Sequence, residues 1–421
     1  MLAAGALLAA FPVQAAAASG FAASQESSWQ LGSRPQWLGR GDAQAAVQLI
    51  GLLQSSNLDG LDPKSFNIKS LKSAVRSAAR GNPSAVARAN AALDRALVSY
   101  VSALRTMPSG EWSVVDRAAI PATPSASELL GQAAAAPSIE AWIDAMPFMH
   151  HSYAELRRAL ADAEARGDDR AAALLQINLA RTRLLPSSGR FVLVNTAAQR
   201  LYMYENGRLA DWMRVVVGKP VNQTPMMAGM IRFTTVNPYW NVPPDLAAER
   251  VAPNVVKLGP GYLHEKGYIV FSDWTDQAVP VDPSTIDWEA VAAGRIQVRI
   301  RQNPGPANAM GRMKFMFPNP QGIYLHDTPD KELLNEAARL FSGGCVRLED
   351  APRLAKWLYG GPLEIKTRKP EQPINLDQPI PVYLAYLTAV PRGNQIVFYD
   401  DIYGKDRSQL AAAARGHLAA R

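Results

Sequence analysis

Apolar residues recur at intervals of three and four through the first half of the chain, and at every second position through much of the rest. AQAAVQLIGLL (43–53) reads as helix, and NLDGLDPKSF after it as a turn. SLKSAVRSAARG is helical and stops at Gly81. NPSAVARANAALDRALVSYVSAL takes Asn82 as N-cap and Pro83 as its first helical residue. Residues 108–138, rich in Ala, Pro and Ser, read as a loose connection with about one helical turn. Helices resume at Ser138 and run to Pro186 through IEAWIDAM, YAELRRALADAEARG and DDRAAALLQINLARTRLL.

At Arg190 the period becomes 2. FVLVNTA, QRLYMYENGRL and WMRVVVG are short strands, with a hairpin turn at Glu205-Asn206-Gly207. MIRFTTVNP, QVRIR, MKFMF and GIYLH follow as strands. Residues 243–295 are long, Pro-rich and poor in strand pattern, as a lid or binding loop would be. Past 370 come a proline-rich stretch, strand-like PVYLAYLTAV and QIVFYDDIYG, and an Ala-rich tail expected to fray. The pattern predicts an α+β protein, with an α-helical domain over 37–187 and a mostly β domain over 188–370. A C-terminal extension covers 371–421.

Composition adds bounds. A chain of 421 residues is long for one core, and 48% apolar with 19% charged residues is a globular balance. The net charge of +7 is mild at this length, with no run of five basic residues and no paired Cys/His zinc spacing. Nucleic-acid binding and metal binding are therefore not expected. The slightly basic surface suits an anionic cell envelope. His150-His151 lacks a spaced third ligand and reads as a solvated helix start. Residues 1–18 are small and apolar, and Val13-Gln14-Ala15 resembles a signal-peptidase site, although no Lys or Arg precedes Arg34. Export to the periplasm is the expectation. Membrane association would follow only if that segment stays uncleaved.

Export makes the only cysteine conspicuous, because an unpaired thiol is a liability in an oxidising compartment unless buried or used. Cys345 follows Ser342-Gly343-Gly344, and His326 ends GIYLH upstream. Thr328 and Pro329 are expected to open a short helix to about Arg339. Asp350 and Gly360 would bound the next helix. A strand-end imidazole and a loop thiol can form a nucleophile and base pair. The glycines let backbone N–H groups of Gly344 and Cys345 converge on an oxyanion. Ser342 would orient the loop, and Arg347 would hold a carboxylate or brace the loop. The opposing reading keeps Cys345 as a small core hydrophobe.

At these residues the chain resembles the L,D-transpeptidases, the large Gram-negative branch. HDTP, fifteen residues between His326 and Ser342, and SGGCVR form the signature. RFVLVNTAAQRLYMYENGRL, NPYWNVPP, DPSTIDW, RQNPGPANAMGRMKFMF and DIYGKD extend the likeness over about 190–405, with a weaker echo at GLDP (60–63). The resemblance implies a β-sandwich-like catalytic domain with a capping loop at about 243–300. It implies Cys345 as nucleophile and His326 as base, with Ser342, Gly343 and Gly344 as oxyanion loop. Arg347, Tyr324, Trp240 and Asn308 would meet substrate. Peptidoglycan stem peptides would be the substrates and carbapenem-type compounds inhibitors, with no cofactor or metal.

Two departures stand out. Gly343 occupies a position where the family often has a second His. RALADAEARGDDRAAALLQINLARTRLL runs straight through the place where many branch members carry a peptidoglycan-binding module. Donor choice is therefore open, including a variant forming L-alanine to diaminopimelate links. The alternatives are an L,D-carboxypeptidase with the same site, or a non-catalytic envelope-binding protein, which would need a broken dyad although both members are present. A papain-like fold is disfavoured because its Cys precedes its His.

Overall fold

The computed structural model describes residues 34–38, 43–106 and 110–419. The leader expected at 1–18 lies outside these residues. Gln44–Gln54 (α1), Ile68–Ala78 (α2) and Pro83–Arg105 (α3) form where the period places them. The Asn82 carboxamide oxygen accepts from the N–H groups of Ser84 and Ala85, opening α3.

Residues 110–138 are more ordered than their composition suggests. Ser113–Val114 (β1) pairs in parallel with the later sheet, and Ala126–Ala135 (α4) is a full helix. Ser125 and Glu128 form a reciprocal capping box there, a local signal that outweighs the Ala/Pro/Ser composition. Ile139–Ala145 (α5), Ser152–Ala165 (α6) and Asp169–Thr182 (α7) complete the helical half. Its core gathers Trp37, Leu49, Leu93, Tyr100 and Tyr153, all fully buried.

His150 is not the solvated helix start expected. It is buried, with its ring edge-on to Phe191 and Tyr204, where the helical half meets the strands. The apolar strand face that follows Arg190 needs a cover, and this junction supplies it.

Phe191–Asn195 (β2), Arg200–Glu205 (β3), Arg208–Gly218 (β4) and Met227–Val236 (β5) follow. Asn206 and Gly207 have φ of 51° and 73°, the left-handed pair that closes the β3–β4 hairpin. Trp240–Val242 (β6) then leads out of the sheet.

The segment expected as a lid loop is a small packed unit. Pro244–Leu246 (α8), a π-helical turn at Ala247–Val251, Ala252–Leu258 (α9) and Gly261–Glu265 (α10) come first. Tyr268–Phe271 (β7), Trp288–Ala292 (α11) and Arg299–Gln302 (β8) follow. β6, β8 and β7 form their own sheet, and Trp240, Val251, Val255, Leu263, Trp288 and Ile300 form its core. The many prolines bound short helices instead of preventing structure.

Met313–Met316 (β9), Leu325–His326 (β10), Leu340–Ser342 (β11) and Val346–Leu348 (β12) bring the chain back to the main sheet. The helix expected from Thr328 to Arg339 is only a 3₁₀ stretch, Lys331–Asn335. Ala351–Tyr359 (α12) has Asp350 as its N-cap, and Gly360 ends it at φ 71°. Gln372–Ala385 (β13), the hairpin Ala389–Arg392 (β14) and Gln395–Phe398 (β15), and Lys405–Ala419 (α13) finish the chain. The tail expected to fray is thus helical.

The strand order is β5-β13-β2-β3-β4-β12-β10-β9, and β9 pairs back to β5. The sandwich-like packing is therefore one sheet closed on itself, which leaves no exposed edge among these strands. β13 is an integral stave, pairing with both β2 and β5, although it lies past residue 370. Val194, Leu201, Met203, Val215, Phe315, Leu325, Val346 and Leu384 fill the interior, joined by Leu354 and Leu358 of α12. Fully burying one such aliphatic side chain contributes about 1.5–3 kcal/mol.

Candidate active site

β10 and β12 are parallel neighbours, with Leu325 opposite Val346 and His326 opposite Arg347. Leu325 and Val346 point into the barrel core. Side chains alternate along a strand, so His326 and Arg347 point outward together. One step back, the Val346 N–H donates to the Tyr324 carbonyl at 3.1 Å, which sets Cys345 beside Tyr324 on the same outer face. Cys345, His326, Arg347 and Tyr324 thus share one surface. Lys314 of β9 pairs with His326 and joins them, its ammonium 5.9 Å from the Tyr324 ring centre.

His326 is buried, and its Nδ1 lies 2.5 Å from the Asp327 carbonyl oxygen. A carbonyl only accepts, so Nδ1 carries the proton and Nε2 keeps its lone pair. Burial pulls the imidazole pKa down to about 3, and the Arg347 guanidinium pushes the same way. Asp327 is tucked in by the Arg312 N–H at 3.0 Å and the Lys331 ammonium at 2.8 Å. Gly311, at φ 61°, makes that possible. A Cβ there would stand 2.5 Å from the Asp327 carboxylate. Burial also raises the Cys345 thiol to about 11, against a weaker downward pull from the Tyr324 backbone and Arg347. The resting pair is therefore a neutral imidazole and a thiol. A thiol acting as nucleophile from this state would give up its proton as it attacks.

The loop in front of Cys345 corrects one expectation. The Gly344 N–H is already spent on the Ser342 hydroxyl at 3.1 Å, so it is not a free oxyanion donor. Ser342 in turn donates to the Cys345 carbonyl at 2.5 Å. The N–H groups of Gly343 and Cys345 have no hydrogen-bond partner among the described residues. Gly344 sits at φ 120°, a conformation that other residues rarely adopt and only with strain. Gly343 faces Leu246 of the capping unit. A Cβ at 343 would lie 3.2 Å from a Leu246 methyl, so the space of the family's second His is taken by an aliphatic side chain.

Asn308 is a second correction. It is buried, donates to the Pro238 and Asn303 carbonyls at 3.0 and 2.9 Å, and accepts from the Met310 N–H at 2.7 Å. Its amide is consumed in shaping a turn and is not presented to a ligand. Arg347 is mostly buried and holds Asp330 at 3.0 Å. Trp240 and Arg347 both line a cavity of about 640 Å³ beneath the capping unit, with Arg250, Lys266, Tyr268 and Asp330 also on its wall.

Sequence reasoning missed the residues that close this cavity. Arg250 donates to the Phe341 carbonyl at 2.5 Å, and Lys219 pairs with Glu249. The first seats the π-helical turn on β11, which leads into the cysteine loop, and the second ties it to the residue after β4. Nothing in local spacing marks them, because each partner is tens of residues away. Asp327 was legible only as the residue after His326.

Residues 189–374 match the family model described as the L,D-transpeptidase catalytic domain, and residues 29–160 match one described as a scaffold domain. A Haemophilus influenzae protein carried as a candidate L,D-transpeptidase is 36% identical over 242 residues. The match covers 55% of this chain and 48% of that protein, so the chain spans about half the length of the curated relative. A solved structure of the Ldtfm–avibactam carbamoyl enzyme aligns over 47% of this chain and 50% of that one. Its identity is 14% and its TM-score 0.21, too low to carry an argument.

Proposed function

Taking residues 189–374 as an L,D-transpeptidase catalytic domain, we propose that the chain is a peptidoglycan L,D-transpeptidase acting through a Cys345 thioester. The observation that carries this is the in-register β10–β12 pair, which puts the thiol, the unprotonated imidazole and Arg347 on one outward face. His326 Nε2 takes the Sγ proton as sulfur attacks a donor stem-peptide carbonyl. The oxyanion forms beside the free N–H groups of Gly343 and Cys345. Collapse expels the amine, which takes the proton from the imidazolium, and leaves the thioester. The side-chain amine of a diaminopimelate on an acceptor stem then attacks. His326 accepts its proton and returns it to the leaving thiolate, giving the crosslink and the free enzyme.

The cavity beside the site suits a stem peptide, whose carboxylates would meet Arg250, Lys266 and Arg347. Tyr324 and Trp240 would flank the chain. Carbapenem-type acylation of Cys345 belongs to the same reading, as does work in the periplasm. No described helix is long and apolar enough to cross a membrane.

Incubation of the purified chain with disaccharide-tetrapeptide, followed by mass analysis, tests the proposal. Crosslinked dimers that vanish in Cys345→Ala are expected. Shortened monomers alone would mean a carboxypeptidase, and no product would sink the enzymatic reading. The mass of the released fragment identifies the donor bond, including the L-alanine variant.

A further inference from the structure

The Gly344 carbonyl and the Cys345 N–H belong to one planar trans peptide unit, so they point in opposite directions. Whatever holds the carbonyl therefore aims the N–H. The Thr224 hydroxyl donates to the Gly344 carbonyl at 2.7 Å. Thr224 is fully buried and lies in the turn after β4. Its oxygen also accepts from the Gly218 N–H at 2.9 Å, so the hydroxyl has one orientation available.

Thr224 is itself held from the far end of the chain. The Tyr403 hydroxyl donates to the Gly218 carbonyl at 2.7 Å and receives the Thr224 N–H at 3.4 Å. Gln223 donates to the Tyr403 carbonyl at 3.2 Å. Tyr403 stacks on Tyr386 at 5.4 Å between ring centres and donates its N–H to the Tyr386 hydroxyl. That hydroxyl is anchored on Asp401 at 2.8 Å. Gly218 admits this crowding because it lacks a Cβ, which would sit 2.7 Å from the Thr224 nitrogen. Tyr403 lies beyond residues 189–374, where the catalytic-domain match ends.

We propose that Thr224, locked by Tyr403 of the C-terminal segment, is a positioning residue for acyl transfer. It fixes the Gly344–Cys345 peptide plane so that the Cys345 N–H faces the developing oxyanion. The proposal rests on the reading of Cys345 as nucleophile. It gives Asp401 and Tyr403 a role in the reaction without any contact with substrate.

The test separates a reaction that builds an oxyanion from one that does not. Acylation of Cys345 by p-nitrophenyl acetate passes through a tetrahedral oxyanion, whereas alkylation by iodoacetamide does not. Thr224→Val should slow Cys345-dependent nitrophenolate release by about 10- to 100-fold, the scale of a displaced catalytic group. Its alkylation rate should stay at that of the unsubstituted chain. Thr224→Ser, which keeps the hydroxyl, should restore most of the acylation. Tyr403→Phe should show a smaller loss of the same selective kind, and it decides the matter if Thr224→Val does not fold. Equal acylation in Thr224→Val and the unsubstituted chain would overturn the relay. So would parallel losses of acylation and alkylation, which indicate a structural role only. No Cys345-dependent release in the unsubstituted chain would overturn the nucleophile reading, and the relay with it.

Discussion

Two buried polar centres, one in each half of the molecule, are built on opposite principles. In the helical half, Asp59 is buried and fully engaged. It accepts from the Tyr100 hydroxyl at 2.8 Å, the Tyr153 hydroxyl at 3.0 Å and the Arg157 Nε at 2.9 Å. Arg157 goes on to the Ser55 carbonyl at 2.9 Å. Burial raises the Asp59 pKa, against a smaller downward pull from Arg157 and the two tyrosines. Every strong acceptor there is consumed in tying the turn after α1 to α3 and α6. In the barrel, the loop around Cys345 is equally well braced, yet its reactive groups are left open. The Nε2 lone pair of His326 and two N–H groups have no committed partner among the described residues, and the thiol makes only a long contact with the Gly322 carbonyl at 3.6 Å. A satisfied buried network holds a fold, whereas unspent capacity on a braced frame marks chemistry.

The sharpest way to break this contrast is to remove one group from each centre. Cys345→Ala should abolish acylation by p-nitrophenyl acetate while leaving the thermal midpoint almost unchanged. Residual Cys-independent acylation at the original rate would erase the distinction. His326→Ala should cost about 10²–10⁴ in acyl transfer, the usual weight of a general base. Single-turnover rates measure it, and a loss below threefold would remove His326 from the reaction.

Asp59→Ala should behave in the reverse manner. It leaves Arg157 buried without its carboxylate and should lower stability by about 3–5 kcal/mol in denaturant titration. The acylation rate per folded molecule should not change. A folded, stable Asp59→Ala variant with slow acylation would merge the two centres.

The pH response sharpens the comparison further. With the thiol raised to about 11, iodoacetamide alkylation should climb about tenfold per pH unit between 8 and 10. A plateau already reached at pH 7 would instead indicate a thiolate–imidazolium pair. His326 is held at about 3 against an ordinary value of 6.5. The unfolded chain therefore binds the proton first. Stability present above pH 6.5 should fall by up to about 1.4 kcal/mol per unit from this group as pH drops toward 3. Thermal unfolding of His326→Gln should show a shallower acid limb.

The smallest effect belongs to the seat of the capping unit. Arg250→Ala frees the Phe341 carbonyl and should raise KM for stem peptide about threefold to tenfold, with kcat less affected. Steady-state assays resolve the split.

The helices, the strand alternation after Arg190 and the β3–β4 hairpin were legible because each rests on contacts within a few residues. The capping box at Ser125 and Glu128 was equally local and simply outvoted by composition. The 3₁₀ stretch at Lys331–Asn335 went the other way. A good start at Thr328-Pro329 could not sustain a helix over a span that must return to pair beside β4. Asn308 was expected to meet substrate on the strength of the family resemblance alone. Its hydrogen bonds to Pro238 and Met310 reveal a turn.

The sequence by itself determined the half-and-half architecture, the candidate nucleophile and the candidate base, since these depend on residue type, period and short spacing. Only the tertiary structure decided which N–H groups stay free, that Leu246 fills the space beside Gly343, and that Tyr403 braces the loop holding Cys345. Those outcomes depend on which distant backbone groups a closed barrel brings within hydrogen-bond reach. Barrel closure is a property of strand pairing across more than 100 residues, and no local pattern along the chain encodes its geometry.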